Sequence, residues 1–185
     1  MDTKIIDLYN EYTEGLLTRR VFLKNLSILA GGTAAALALL PLLENNHAKA
    51  EMVPVNDPRL HTEHIQYPGE TGKIRASLAR PTGKLKLPGV VVIHENRGLN
   101  PHIKDVARRV ALKGYIAIAP DALSPLGGTP NDPDEARTMI GKLDGPSTTK
   151  NYLAAVKYLK THPLSTGKVG CIGFCWGGGV ATRLQ

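Results

Sequence analysis

The sequence predicts an α/β fold with a mostly parallel, doubly wound sheet over residues 51–185. Short, apolar, β-branched runs alternate there with longer segments that carry apolar residues at helical spacing. This alternation of strand and helix is typical of parallel sheets that are covered by helices on both faces. A glycine-bounded motif at 173–177 follows the last of these runs, where a strand should turn into a helix.

The strands come first. Residues 73–80 alternate between apolar and polar side chains, which is typical of a half-buried strand near a sheet edge. The runs 89–94, 115–119 and 168–174 are short and apolar, so each fits a strand buried on both faces of a parallel sheet.

Helices are predicted between and after these strands. Residues 103–113 place apolar side chains at helical spacing and are followed by Gly114, a residue type common at helix ends. Residues 147–162 form a second amphipathic helix, closed by a proline, and a third helix begins at Trp176. The Gly- and Pro-rich segment 123–133 is long enough to be a functional loop.

Residues 1–50 have the composition of an export signal. Arg19 and Arg20 precede the uncharged, Leu- and Ala-rich stretch 26–43, and the small-x-small pattern at 48–50 resembles a cleavage site. Twin arginines ahead of an apolar stretch indicate the twin-arginine route, so we expect export machinery as a partner and a periplasmic or other extracytoplasmic location.

The alternative to a cleaved signal is a membrane anchor that stays uncleaved. The uncharged stretch has 18 residues, which is at the lower limit for a span, and glycines and a proline interrupt it. Cleavage is therefore favoured, with no stable anchor afterwards. Residues 51–185 would then be the N-terminal part of the enzyme domain.

Composition excludes several classes of protein. With 42% hydrophobic residues, two cysteines and no glycine period, the chain is neither disordered, nor collagen-like, nor a disulfide scaffold. The formal charge of +7 lies entirely in residues 51–185, but the basic residues are scattered and aromatics make up only 5%. We therefore expect no nucleic-acid partner, while an anionic small-molecule substrate is a weaker inference from the charge.

The most specific motif is Gly-Phe-Cys-Trp-Gly at 173–177. It has the form of a nucleophile elbow, in which the nucleophile, here Cys175, sits in a strained turn between a strand and a helix. Gly173 and Gly177 carry no Cβ that could collide with the turning backbone. The N-terminus of the next helix favours negative charge, and the backbone N–H of Trp176 would face a developing oxyanion.

Other uses of this glycine-rich turn fit less well. Neither G-x-G-x-x-G nor G-x-x-x-x-G-K-[ST] occurs, which argues against a nucleotide site. Cys171 and Cys175 are four apart and do not form a C-x-x-C pair, so Cys171 is interpreted as a core residue. His61 and His64 have no third ligand nearby, so no metal site is expected.

A second polar cluster, His94-Glu95-Asn96-Arg97-Gly98, directly follows the first buried strand. Ligands in open α/β sheets bind at such carboxyl strand ends. Glu95 could reach the sulfur of Cys175, and Asn96 could offer a second oxyanion N–H. Arg97 could bind a substrate carboxylate or pair with Glu95, and His94 is interpreted as a packed histidine rather than a base.

Together the two clusters resemble the dienelactone hydrolase family, and the resemblance covers roughly residues 60–185. The matching segments, in the family's order, are 89–100, 114–115, 119–121, 167–170 and 173–178. The resemblance implies an α/β-hydrolase fold and hydrolysis of a small-molecule ester or lactone through an acyl-thioester, with no cofactor. It assigns Cys175 as nucleophile, Glu95 as the carboxylate that activates it, and the backbone of Asn96 and Trp176 as oxyanion hole.

Two features depart from the family pattern. No arginine follows Pro120-Asp121, where members that open dienelactone carry one to hold the substrate carboxylate, so dienelactone is not the expected substrate. No Asp and His follow Cys175, although this fold orders its triad as nucleophile, acid and His. We therefore expect the front part of a hydrolase domain, truncated after the elbow, whose 185-residue product alone is unstable and inactive.

Two alternatives to a hydrolase stay open at this point. A truncated remnant could be non-catalytic or could bind a small acid, which the absent downstream histidine favours. A thiol redox protein is the other alternative, and the four-residue cysteine spacing argues against it.

Overall fold

The structure is a computed structural model that describes residues 3–13, 17–49 and 52–184. The chain divides into two compact units, Met1–Ala50 and Glu51–Gln185.

The first unit contains three helices: α1 (Thr3–Thr13), α2 (Arg19–Leu29) and α3 (Thr33–Lys49). Their apolar faces form a small cluster in which Phe22 and Leu26 are fully buried. The hydroxyl of Thr18 caps α2 by accepting a hydrogen bond from the Val21 amide.

The uncharged stretch of this unit is broken into two helices. Gly31 and Gly32 adopt positive φ angles of 77° and 150°, which ends α2 and redirects the chain into α3. Among the described residues, no single helix is long and apolar enough to span a membrane. The pair Arg19–Leu29 and Thr33–Leu40 would qualify together, but it is bent by 111°.

The second unit is built on a five-stranded mixed sheet, which confirms the predicted α/β class. In the sheet the strands follow the order β1-β2-β4-β3-β5, with β3, β4 and β5 parallel and with β1 and β2 antiparallel. Their bounds are β1 Leu60–Gly69, β2 Gly72–Pro81, β3 Leu87–Ile93, β4 Ile116–Pro120 and β5 Ser165–Gly173.

Helices cover both faces of this sheet. One face packs against α4 (Pro101–Leu112) through Val92, Ala117 and Ala119. The other packs against α6 (Gly145–Thr161) and α7 (Trp176–Thr182). Apolar side chains of the two central strands thus point alternately to two cores, as the continuous apolar runs predicted.

Two elements were not predicted. The first is β1, which was not predicted and which forms one edge of the sheet. The predicted strand at 73–80, here β2, is therefore the second strand from that edge. The segment 123–133 contains a short 3₁₀ turn, Ser124–Leu126, and is followed by α5 (Pro133–Ile140). Asp132 caps α5 ahead of a proline, a start signal that was legible in the sequence.

The prediction that residues 168–174 form a strand buried on both faces is wrong. Among the described strands β5 pairs only with β3, and it therefore lies at the edge of the sheet. Cys171 and Ile172 are exposed, so Cys171 is not a core residue either. The physical reason is that, apart from β3, β5 packs mainly against α6 and α7, and within residues 52–184 no strand lies on its outer side.

Candidate active site

The chain turns sharply between β5 and α7, with Cys175 at the turn. This residue has φ 52° and ψ −114°, and it is the one non-glycine residue with a positive φ in the described part of the chain. Such a conformation is costly for an L-residue and is typical of functional turns. The Cys175 side chain is exposed at the carboxyl end of β5, as the elbow motif predicted.

Close backbone contacts explain the two glycines of the motif. A Cβ on Gly173 would overlap the carbonyl group of Gly177, on the next turn of the chain. A Cβ on Gly177 would overlap the His94 carbonyl oxygen and would lie 2.6 Å from the carbonyl oxygen of Ile93. The amide of Phe174 also donates to the Ile93 carbonyl at 3.3 Å. The elbow therefore packs in direct backbone contact with the carboxyl end of β3.

This contact brings the two predicted clusters together through His94. The imidazole is fully buried and stacks on the Trp176 ring, with centroids 5.4 Å apart and an interplanar angle of 15°. Its Nδ1 lies 2.6 Å from the Glu95 carbonyl oxygen, while Nε2 accepts a hydrogen bond of 3.1 Å from the Ala122 amide. Since a carbonyl can only accept, the proton lies on Nδ1.

Burial holds this histidine in its neutral form. Desolvation lowers the pKa of His94 from its ordinary value of 6.5, outweighing the Glu95 carbonyl and the Asp121 charge, which act in the opposite direction. Both ring nitrogens are occupied, so His94 has no nitrogen left for the thiol of Cys175. It is a packed histidine that positions the elbow, as the sequence indicated.

The polar residues after His94 lie where the sequence predicted, at the carboxyl end of β3. Glu95, Asn96 and Arg97 are all half-buried. Neither Glu95 nor Arg97 makes an ion pair with any described residue, so the interpretation in which they neutralise each other is wrong. Both charges remain available to a ligand.

Two backbone amides at the site lack a protein acceptor. Within residues 52–184, the amides of Asn96 and Trp176 donate no hydrogen bond to the protein. One amide follows β3 and the other begins α7, and the contact between Gly177 and the end of β3 holds these two segments together. Free amides beside a reacting thiol can bind an anionic oxygen.

Sequence reasoning missed the network that supports this loop. The carboxylate of Asp121 accepts hydrogen bonds from the Leu123 amide at 3.0 Å, the Thr129 amide at 2.9 Å and the Thr129 hydroxyl at 2.7 Å. The same hydroxyl accepts from the Leu99 amide at 2.8 Å. The loop after β4 thereby holds the loop after β3. The Pro-Asp pair at the end of β4 could have indicated that Asp121 supports this site. Nothing in the sequence indicated that Thr129 is its partner.

The described residues do not meet the requirements of a metal site. Across the described ranges there is no cluster of three or more His, Cys, Asp or Glu side chains that could hold a metal ion.

A strained residue between a parallel strand and a helix, flanked by glycines and set at the carboxyl edge of an α/β sheet, defines the α/β-hydrolase class. Comparison with solved structures agrees. The chain superposes on the dienelactone hydrolase-like promiscuous phosphotriesterase P91 from metagenomic libraries with a TM-score of 0.60 and 30% identity, over 68% of this chain and 54% of that one.

The family follows from sequence comparison. The model of the dienelactone hydrolase family matches residues 74–185, and the chain belongs to that family. YghX of Escherichia coli strain K12, named as a presumed hydrolase fragment, is 50% identical over 112 residues, which cover 59% of this chain and 96% of YghX. A presumed carboxymethylenebutenolidase of Synechocystis sp. is 33% identical over 126 residues, or 64% of this chain and 51% of that protein.

The chain spans about half the length of the curated carboxymethylenebutenolidase relatives that it matches.

The buried His94 makes stability depend on pH. Because its pKa is lowered on folding, the unfolded chain binds more protons just below pH 6.5, and stability falls on acidification through that window. One such group contributes a slope of at most about 1.4 kcal/mol per pH unit. Urea unfolding at several pH values should show a smaller slope for His94→Gln than for the unmodified chain.

The matched control is Tyr152→Phe, which alters another buried ring; burial raises the pKa of Tyr152 well above its ordinary value of 10.0, so this variant should keep the original slope. His162, whose pKa is also lowered by partial burial, contributes equally in all three proteins. An unchanged slope in His94→Gln would show that the imidazole is not held neutral by the fold.

Proposed function

We propose that this chain carries the nucleophile of an exported ester or lactone hydrolase, and that Cys175 is that nucleophile. The observation that carries the proposal is the positive φ of Cys175 in an exposed turn bounded by two glycines that tolerate no side chain. A cysteine with a purely structural role would gain nothing from such a costly conformation.

The proposed first half of the reaction is acyl transfer to the thiol. The sulfur of Cys175 attacks the ester carbonyl, and its proton passes to the carboxylate of Glu95. The carbonyl oxygen becomes an oxyanion, which the amides of Asn96 and Trp176 stabilise. When the oxyanion collapses, the bond to the alcohol oxygen breaks, Glu95 gives that oxygen the proton that it took from the thiol, and an acyl-thioester and a free alcohol remain.

The second half releases the acid. Water adds to the thioester carbonyl, the bond from carbon to sulfur breaks, and a carboxylic acid and the free thiol form. A general base must activate that water, and His94 has no free nitrogen for it. We propose that the acid and the histidine come from the part of the relatives' length that this chain does not span.

The proposed substrate is a small ester or lactone that carries a negative charge. Arg97, which makes no ion pair with a described residue and follows β3 at the same edge of the sheet as the elbow, would bind its carboxylate, and the excess of basic residues would favour its approach. Dienelactone itself fits less well, because no arginine stands at 122–125, directly after Pro120-Asp121, where the resemblance places the one that holds its carboxylate.

The proposed chemistry predicts one acylation without turnover. Mixing the chain with p-nitrophenyl acetate should release one equivalent of nitrophenol and leave one acetyl group on Cys175, since the proposed second half needs a histidine base and His94 has no free nitrogen. Mass spectrometry of peptides locates the acetyl group. Cys175→Ala should lose it.

Cys171→Ala is the matched control, because Cys171 is also an exposed free cysteine but lies within β5, four residues before the turn. It should be acetylated like the unmodified chain. Acetylation of both cysteines at equal rates, or none at Cys175, would contradict the role of the elbow and leave a non-catalytic protein.

We further propose that residues 1–50 direct export by the twin-arginine route. Arg19 and Arg20 are exposed at the start of α2, ahead of the apolar stretch. Replacing both by lysine keeps the charge but removes the guanidinium groups, so we expect the chain to stay in the cytoplasm of a bacterial host. Fractionation followed by immunoblotting measures this.

The control for export is Lys24→Arg, which makes the reverse exchange of one basic side chain for another one helical turn later and should be exported normally. If the double lysine variant were exported at the normal level, the proposal of twin-arginine export would be wrong.

A further inference from the structure

A second pocket, separate from the elbow, lies among β1, β2, α4 and the loop after β4. It has a volume of about 260 Å³, and the polar side chains that line it include His64, Gln66, Arg75 and Lys104. We propose that this pocket, here called the Arg75 pocket, binds a small organic carboxylate. The proposal does not depend on the thiol chemistry.

The sheet register places the pocket on the face that α4 covers. Gln66 pairs with Arg75 across the antiparallel strands, and His64 pairs with Ser77, so these side chains share one face. The neighbours of Arg75 on β2, Ile74 and Ala76, belong to the opposite core with α6. Neither Cys175 nor residues 94–97 and 176 of the candidate active site line this pocket.

The walls present N–H donors that the protein does not use. Among the described residues, the Lys104 amine, the His64 ring and the Gln66 amide have no hydrogen-bond partner. The guanidinium of Arg75 donates to the Gly127 carbonyl and lies against Gly128, which fixes its position but leaves further N–H groups free. No carboxylate of a described residue pairs with Arg75 or Lys104.

One carboxylate does line the pocket, and it is already engaged. Asp121 accepts three hydrogen bonds from Leu123 and Thr129, so its oxygens face those groups rather than the free donors. The wall therefore carries more basic than acidic side chains, with Arg75 and Lys104 against one carboxylate. Anions are the ligands that such a wall favours.

The remaining lining selects an organic anion. Leu99, in the loop after β3, gives the pocket an apolar side, a contact that inorganic phosphate could not use. A short carbon chain with one or two carboxylates would use both the apolar side and the donors. The planar fork of Arg75 suits a carboxylate in two-point contact.

Isothermal titration calorimetry of the full 185-residue chain with succinate tests the proposal. We expect saturable binding that weakens with salt and that Lys104→Gln reduces by at least about tenfold, the loss expected for a hydrogen bond to a charged group. Lys113→Gln, which makes the same charge change at the other end of α4, should bind within about twofold of the unmodified chain.

Three outcomes would overturn the proposal: no saturable binding of succinate, an equal loss in Lys113→Gln, or tighter binding of phosphate than of succinate. Arg75→Gln should weaken binding too, but Lys104→Gln alone decides, since its amine makes no described contact that folding needs. Cys175→Ala should bind succinate normally, so failure of the pocket and failure of the proposed hydrolase function are distinguishable.

Discussion

The contact between the start of α7 and the end of β3 is the constraint on which the candidate site depends. Gly177 lies so close to the carbonyls of Ile93 and His94 that no side chain could stand there. This closeness forces the chain to turn within two residues after β5, and the turn places Cys175 at a positive φ. It also sets the free amide of Trp176 beside the segment that carries Asn96.

The buried ring of His94 connects the segments that form this arrangement. Its ring joins the loop after β3, the loop after β4 and the elbow through one stacking contact and two hydrogen bonds. A charged imidazole would be costly in this buried place, and its Nε2 would lose the bond from the Ala122 amide. The site is thus positioned by a neutral ring that takes no part in the proposed chemistry.

Local sequence predicted the parts of the fold that depend on local physics. The run around Val91 and Val92 is apolar on both sides, which only a central strand satisfies, and the glycines at 173 and 177 predicted the turn that the backbone makes. The family resemblance, seen in the same residues, is confirmed by the match over 74–185.

The parts that sequence did not predict depend on which elements become neighbours. The burial of β5 was overestimated because an apolar strand does not reveal how many strands pair with it. Polar β1 gave too little alternation to be recognised. The Arg75 pocket was missed because its donors come from three elements that are distant in sequence, and only the register of β1 and β2 brings Gln66 beside Arg75.

The central claim is that the tight packing of the elbow against the end of β3 makes Cys175 a reactive nucleophile. The most direct measurement compares the alkylation rates of Cys175 and Cys171 by iodoacetamide in the unmodified chain, in Gly177→Ala and in Gly179→Ala. Gly179 is in the same helix, but a Cβ there would meet nothing within 4 Å. The account predicts that Cys175 reacts faster than Cys171 in the unmodified chain and in Gly179→Ala, and that Gly177→Ala abolishes the difference. An unchanged difference in Gly177→Ala would contradict it.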